Sequence, residues 1–313
     1  MSVFLLAYVL TRSEVEMIDS LSQLLYTERF SEFERSLRTL KGRMDPLLWS
    51  VLKLAYLQLY MSDNDTDYRY GEFVSLMDSI VSAYGRKPQK STREKMLLAT
   101  TMAMGAVFYG RRRNIPKALA LGNKAFNLYR EAYREDTTVY DALLPMGLYD
   151  YAIGYLTRSS SRKRRGIDKI RIVLRKGVLA KPLAYAGLVY VYIFDNKPGK
   201  AIKYALKALS MYPQSRTFRW ILAEAYLKAG MYPEAYRTYD EIRRDLKRRN
   251  PGCKVCVAEA LYYMGESLHG AGKEEEARRT WYRALWYLKA ERDPYRQREV
   301  KEVRNKLKKR GIE

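Results

Sequence analysis

The sequence predicts an all-α fold made of stacked antiparallel helix pairs and closed by a C-terminal capping helix, and three observations predict it. In the C-terminal half one pattern of small and aromatic residues recurs after 34 residues and again after 42, and self-similarity in that range marks helix–turn–helix repeats. Only 10 Pro and 18 Gly interrupt 313 residues, too few for the turns of an all-β chain. The segments between these breaks carry apolar residues with helical, 3.6-residue periodicity. With 47% hydrophobic residues the chain can bury a core that needs no metal or disulfide for folding, and no cofactor is expected.

Taken in order, Ser2 to Leu10 is apolar and resembles the core of a secretory signal, although no positive charge precedes it and no small-residue cleavage site follows. The competing reading is a first helix that packs Leu5, Leu6 and Val9 inward. Residues 1–90 then read as degenerate helical pairs near Ser13–Tyr26, Phe30–Leu40, Pro46–Met61 and Tyr70–Tyr84. The breaks between them are Met44-Asp45-Pro46 and the polar run Ser62–Asp67, with Gly85–Ser91 closing the group. Residues 91–180 hold two further degenerate pairs. One carries Gly105-Ala106 and Tyr109 with Ala118 and Ala125, the other Leu143, Met146-Gly147 and then Gly166 to Leu174. Residues 181–293 hold three regular units. The central one has Leu222-Ala223, Tyr226, Gly230, Ala235 and Tyr239; 34 residues earlier stand Leu188-Val189, Tyr192, Ala201, Ala205, Ala208 and Pro213. The third has Met264-Gly265, Leu268, Gly272, Ala277, Trp281 and Ala284, its offset absorbed by a longer helix through Arg243–Arg249 and a break at Asn250-Pro251-Gly252. Residues 294–313 form a final helix, near Pro294–Lys309, charged on most faces and suited to a solubilising cap. One continuous solenoid is the expectation.

These units resemble the tetratricopeptide repeat, whose pattern places an aromatic, a Leu-Gly pair, a Tyr, two Ala and a terminal Pro at fixed offsets. The leading aromatic is Tyr185 in one unit but Arg219 and Leu261 in the others, and Val189 and Ala223 replace the Gly of the pair. The stretch Asp141–Tyr151 also resembles an uncharacterised bacterial group of tetratricopeptide proteins that are often exported, which favours a place in the cell envelope over the cytoplasm. The resemblance implies a right-handed solenoid whose first helices line a concave face. It projects Leu183, Ala186, Tyr190, Ile193 and Phe194 from the first unit into that face, Thr217, Trp220, Glu224, Leu227 and Lys228 from the second, and Glu259, Tyr262, Glu266, His269 and Gly270 from the third.

Aromatic residues of this kind anchor interfaces at low entropic cost, so a groove for a peptide or helix of a partner protein is the leading function. Tyr190, Phe194, Trp220, Glu224, Lys228, Tyr262 and Glu266 are its candidate residues. The carboxylates have the wrong sign to grip an acidic peptide terminus and would instead tolerate a neutral or basic ligand. Part of this set could equally pack between repeats.

Lys and Arg exceed Asp and Glu by 58 to 35, a net charge of +23, which bears on partners and association rates rather than fold. The stretch from Ser159 to Lys181 holds nine basic residues against Asp168 alone. Its run Arg162, Lys163, Arg164 and Arg165 is the candidate contact for anionic membrane or nucleic acid, the second functional reading; a solvated basic loop is its bland counterpart. Cys253 and Cys256 are the sole cysteines. They open a helix, where the dipole favours thiolate, so a structural disulfide, a pair of buried thiols and redox activity all stay open. A zinc site would need more ligands than this pair and the single His269 provide. Phosphate-binding loops, nucleophile elbows and metal-binding helix motifs are missing from the sequence, and the expectation is a protein without catalysis.

Overall fold

The computed structural model describes residues 10–312. The apolar N-terminal stretch with Leu5, Leu6 and Val9 lies outside them. The described residues form fifteen α-helices and no strand. They are α1 (Arg12–Tyr26), α2 (Phe30–Thr39), α3 (Pro46–Asp63), α4 (Tyr70–Gly85), α5 (Thr92–Arg111), α6 (Ile115–Glu135), α7 (Leu143–Leu156), α8 (Ser160–Lys176), α9 (Lys181–Phe194), α10 (Pro198–Met211), α11 (Arg216–Lys228), α12 (Tyr232–Arg249), α13 (Lys254–Gly270), α14 (Glu274–Ala290) and α15 (Gln297–Lys308). Short 3₁₀ turns precede α7 and α15. No described helix is long and apolar enough to cross a membrane.

One turn is used repeatedly. In six hairpins (α1–α2, α5–α6, α7–α8, α9–α10, α11–α12 and α13–α14) a residue in the left-handed region ends the first helix: Glu28, Arg113, Arg158, Asn196, Gly230 and Gly272. The next backbone N–H then donates to the carbonyl five residues back, as from Arg29 to Leu24 (2.9 Å), Ser159 to Gly154 (2.8 Å), Met231 to Tyr226 (3.0 Å) and Lys273 to Leu268 (2.9 Å). This is the Schellman closure, which satisfies carbonyls that a helix end leaves open. Within a unit such a tight reversal makes the second helix antiparallel to the first, and the same motif in the sequence-degenerate pairs identifies them as the same kind of hairpin. Starts are capped as well: Thr11 with Glu14 and Ser91 with Glu94 form capping boxes on α1 and α5.

The chain forms two compact units. Among the described residues the first comprises 10–59 and 70–191, the second 60–69 and 192–312. In the first, Phe73 stacks on Phe108 with ring centroids 4.1 Å apart, and buried Tyr129 and Thr100 share a hydrogen bond of 2.9 Å between α6 and α5. The α7–α8 hairpin is drawn together by glycines: a Cβ on Gly147 would sit 2.7 Å from the Gly166 carbonyl oxygen, so only a missing side chain permits this approach. Asp141, 1% exposed, accepts from the backbone N–H groups of Val178, Leu179 and Ala180 at 3.1, 3.2 and 3.4 Å, fixing the entry into α9.

In the second unit α10 to α14 pack mainly on their neighbours in sequence, whereas α15 packs mainly on α13. Ala201, Ala205 and Ala208 are fully buried on α10, the small residues that let helices approach closely. Trp281 of α14, 1% exposed, lies across Gly265 and donates through Nε1 to the Tyr262 carbonyl at 3.1 Å. The polar run Ser62–Asp67, read from sequence as a plain break, is a structural part of this unit. Asp63 pairs bidentately with Arg216, which also reaches Asp245 at 3.1 Å. Arg216 is 5% exposed. Burial pushes the Asp63 carboxyl above its ordinary range against the pull of Arg216. For Asp245 burial opposes ionisation too, but hydrogen bonds from Arg249 and Arg248 outweigh it and hold its pKa below the ordinary value.

Candidate partner-binding site

In the second unit the first helices of successive hairpins, α11 and α13, place the predicted groove residues side by side, and α15 joins them. Trp220 of α11 is half-buried against Tyr239 and Tyr263, with ring centroids 5.5 and 5.8 Å away. Tyr239 and Tyr263 are themselves stacked at 5.3 Å. One turn further on, Glu224 is half-buried, and Lys228 is exposed after it. On α13 the same face carries Glu259, Tyr262, Tyr263 and Glu266.

The structure places the C-terminal helix across the α13 part of this face. Lys306 of α15 donates to Glu259 at 2.6 Å and to the Tyr263 hydroxyl at 3.2 Å, its ammonium lying 5.6 Å from the Tyr262 ring centroid and 4.9 Å from that of Tyr263. Arg310, just beyond the helix, forks onto Glu266, with Nε to Oε1 at 2.8 Å, and rests 5.4 Å from the centroid of Trp281. Val300, Val303 and Leu307 are buried beneath. The helix expected to be charged on most faces is therefore amphipathic, and Tyr262, at 9% exposure, and Glu266 are occupied rather than open. The basic ligand these carboxylates were expected to accept is supplied by the chain itself.

Electrostatics follow from this burial. Desolvation works against the Lys306 ammonium, yet the charge of Glu259 and the Tyr263 hydroxyl hold its pKa above the ordinary lysine value. Tyr262 is pushed up to about 12, by burial first and then by the Glu266 charge. Glu224 differs from its neighbours. Burial raises its pKa, and no cation stands within ion-pair distance of its carboxylate among the described residues, although Lys228 and Lys306 both act on it at longer range. The face thus offers one half-buried carboxylate without a direct ion pair, between an indole and a lysine.

Other predicted residues fall elsewhere. Tyr190 belongs to the first unit and is half-buried; Phe194 belongs to the second and is 58% exposed at the end of α9. Leu183 and Ala186 are buried. His269 is exposed and bonded to Glu274 at 2.6 Å.

The basic run lies on α8, a regular helix capped by Ser159, not on a loop. Its members are not alike. Arg162 and Lys169 both hold the buried Asp150, at 3.2 and 2.5 Å, and Lys163 leans over the Tyr151 ring at 5.9 Å. Only Arg164 and Arg165 are exposed. Half of this candidate anionic contact is thus engaged in holding α8 to α7.

Cys253 and Cys256 are joined in a disulfide across the first turn of α13, with Cα atoms 5.3 Å apart. Both are buried, at 0% and 4% exposure. Their sulfurs pack against the backbone oxygens of Asn64 and Asp63, 3.3 and 4.0 Å away, in the segment that Asp63 and Arg216 hold in place. Among the described residues no group of His, Cys, Asp and Glu could hold a metal ion.

Repeated Schellman-closed hairpins and a first-helix face of aromatic and charged residues define a helical-repeat protein resembling the tetratricopeptide class. No family model and no curated protein matches the sequence. Among solved structures, MamA is 17% identical, covers 56% of this chain and 92% of its own, and superposes with a TM-score of 0.42. YrrB, described as a TPR protein with an unusual peptide-binding site, is 18% identical over 67% of this chain and 93% of its own, with a TM-score of 0.37. BtubC (BKLC) from P. vanneervenii is 13% identical over 85% of this chain and 90% of its own, with a TM-score of 0.38. These are distant likenesses in helical arrangement and say nothing about what this chain binds.

Proposed function

We propose that the protein is a non-catalytic interaction scaffold that holds a basic helical or extended segment of a partner protein on the α11 part of this face, around Glu224, beside the α13 part that α15 covers. The observation that carries this reading is Glu224. A half-buried carboxylate without an ion-pair partner is costly, and a cation delivered by a ligand would relieve that cost. Trp220 and Lys228 flank it, the first giving an aromatic contact surface and the second excluding a second cation of the ligand from that end. The way the C-terminal segment already uses Glu259 and Glu266 supports the same chemistry, because a lysine on an amphipathic helix and an arginine just beyond it satisfy these carboxylates. The buried disulfide supports a place in an oxidising compartment outside the cytoplasm and argues against thiol exchange, since neither sulfur is open to a substrate.

Replacing Trp220 by a photo-crosslinking benzoylphenylalanine in the full chain, within the cells that make it, tests the site. Discrete adducts to proteins that present Lys or Arg at the crosslink, lost when Glu224→Lys is added, are the expected result. Adducts that persist unchanged with Glu224→Lys, or none at all, would overturn it.

A further inference from the structure

On the outer side of α14 Tyr282 and Trp286 are 48% and 65% exposed, an unusual amount of aromatic surface for one helix to show to water. They follow Glu275 and Arg279 and precede Lys289 at steps of four, three, four and three residues, so all five lie along one stripe of the helix. At 1.5 Å per residue that stripe is about 21 Å long. Arg278 and Arg283 flank it, and Arg278, Arg279, Arg283 and Lys289 are exposed with no ion-pair partner among the described residues. The patch continues onto α12, whose Lys247 lies 5.4 Å from the Tyr287 ring centroid; Tyr287 in turn meets Trp286 edge to face at 5.0 Å. Several other cations of this unit, among them Arg216, Arg243, Arg248, Arg249, Lys306 and Arg310, hold carboxylates instead.

We propose that this face of α14 is a docking surface for an anionic lipid bilayer. The side chains match what a headgroup layer selects. Trp and Tyr settle at the boundary between headgroups and acyl chains, while flanking Arg and Lys meet lipid phosphates. A helix so equipped lies in the plane of the interface instead of crossing it. The stripe suits lipid better than single-stranded nucleic acid, which stacks its bases on free ring faces along a groove. Here the aromatic residues stand on a single convex helix surface, and Tyr287 has its ring covered by Lys247. The surface is separate from the face of α11 and α13, so either assignment stands or falls alone.

The test is flotation of the full chain with phosphatidylcholine vesicles with and without phosphatidylglycerol, read together with quenching of tryptophan fluorescence by brominated lipid. Binding is expected only with phosphatidylglycerol, and it should weaken steeply with salt. The triple variant Arg279→Gln, Arg283→Gln and Lys289→Gln should lower partitioning about 100-fold, at roughly a factor of five per cation. Trp286→Phe should abolish the quenching while Trp49→Phe leaves it in place. These positions are exposed, so an unchanged circular-dichroism melt shows each variant folded. Absence of flotation, flotation unaffected by the triple variant, or quenching that survives Trp286→Phe would overturn the proposal; so would salt-sensitive binding to a single-stranded oligonucleotide without binding to vesicles.

Discussion

At Gly265 a hydrogen stands where a Cβ would overlap the Trp281 indole, and that ring cannot give way, because it is fully enclosed and its Nε1 is committed to the Tyr262 carbonyl. Gly265→Ala should therefore cost about 3 kcal/mol, at the upper end of what overpacking does, measured by urea unfolding. A residue-scale effect of another kind sits at Glu14. Arg93, at 2.6 and 3.0 Å, holds its pKa down to about 2 from the ordinary 4.5, helped by Thr11 and opposed by burial. A carboxylate depressed in the folded state adds stability that is fully present above about pH 4.5 and is lost as pH falls toward 2. Glu14→Gln should flatten the acid limb of a stability-versus-pH curve in that window and lower stability at neutral pH; an unchanged acid limb would show that the pair is not formed. Gly265 was legible in the sequence as the glycine of the repeat's Leu-Gly pair, although its contact with Trp281 was not. Arg216 was not. Its partner Asp63 lies 153 positions away, and local spacing carries no trace of a contact of that range.

Among elements, the legible parts were those set by local rules. Helices around Ser13–Tyr26, Phe30–Leu40 and Pro46–Met61 lie within about two residues of their observed ends, since caps, breaks and periodicity act over a single turn. The pairing turns were visible where glycine marks them, at Gly230 and Gly272, and hidden where Glu28, Arg113 and Arg158 adopt the same left-handed backbone. A side chain in that region is strained, which yields a prediction. Arg158 is exposed, and Arg158→Gly should raise stability by about 0.5 kcal/mol, relief of strain exceeding the added freedom of the unfolded chain; a melting temperature that falls would show the arginine to be held by contacts. The role of α15 was hidden for a different reason. Lys306 and Arg310 look like solvated charges until Glu259 and Glu266 are placed opposite them, and only the packing of α15 on α13 does that. Asp150 tells the same story: it stood within a stretch singled out from sequence, but its grip on Arg162 and Lys169 depends on the α7–α8 hairpin closing.

Over the whole molecule the excess of 23 positive charges is a fact of composition with physical consequences that no single ion pair removes. Like charges repel in the compact state, and at low ionic strength that repulsion extends over tens of ångströms. Raising sodium chloride from a few millimolar to physiological strength should therefore increase the melting temperature, because more repulsive pairs than attractive ones are screened. A decrease would mean that ion pairs such as those around Asp245 dominate the balance.

The lodging of residues 60–69 within the second unit has a consequence for how that unit comes into being. A ribosome delivers Asp63 and Asn64 well over a hundred residues before Arg216, Asn250 and Cys253, so the second unit reaches its final state only when an early-made strip of chain is retrieved by a late-made one, a closure that long-range contacts render slow. A fragment cut out along the visible repeats, from residue 181 onward, would be born without that strip. Its Arg216 would keep only one of its two carboxylate partners, and its disulfide would lose the backbone that covers it.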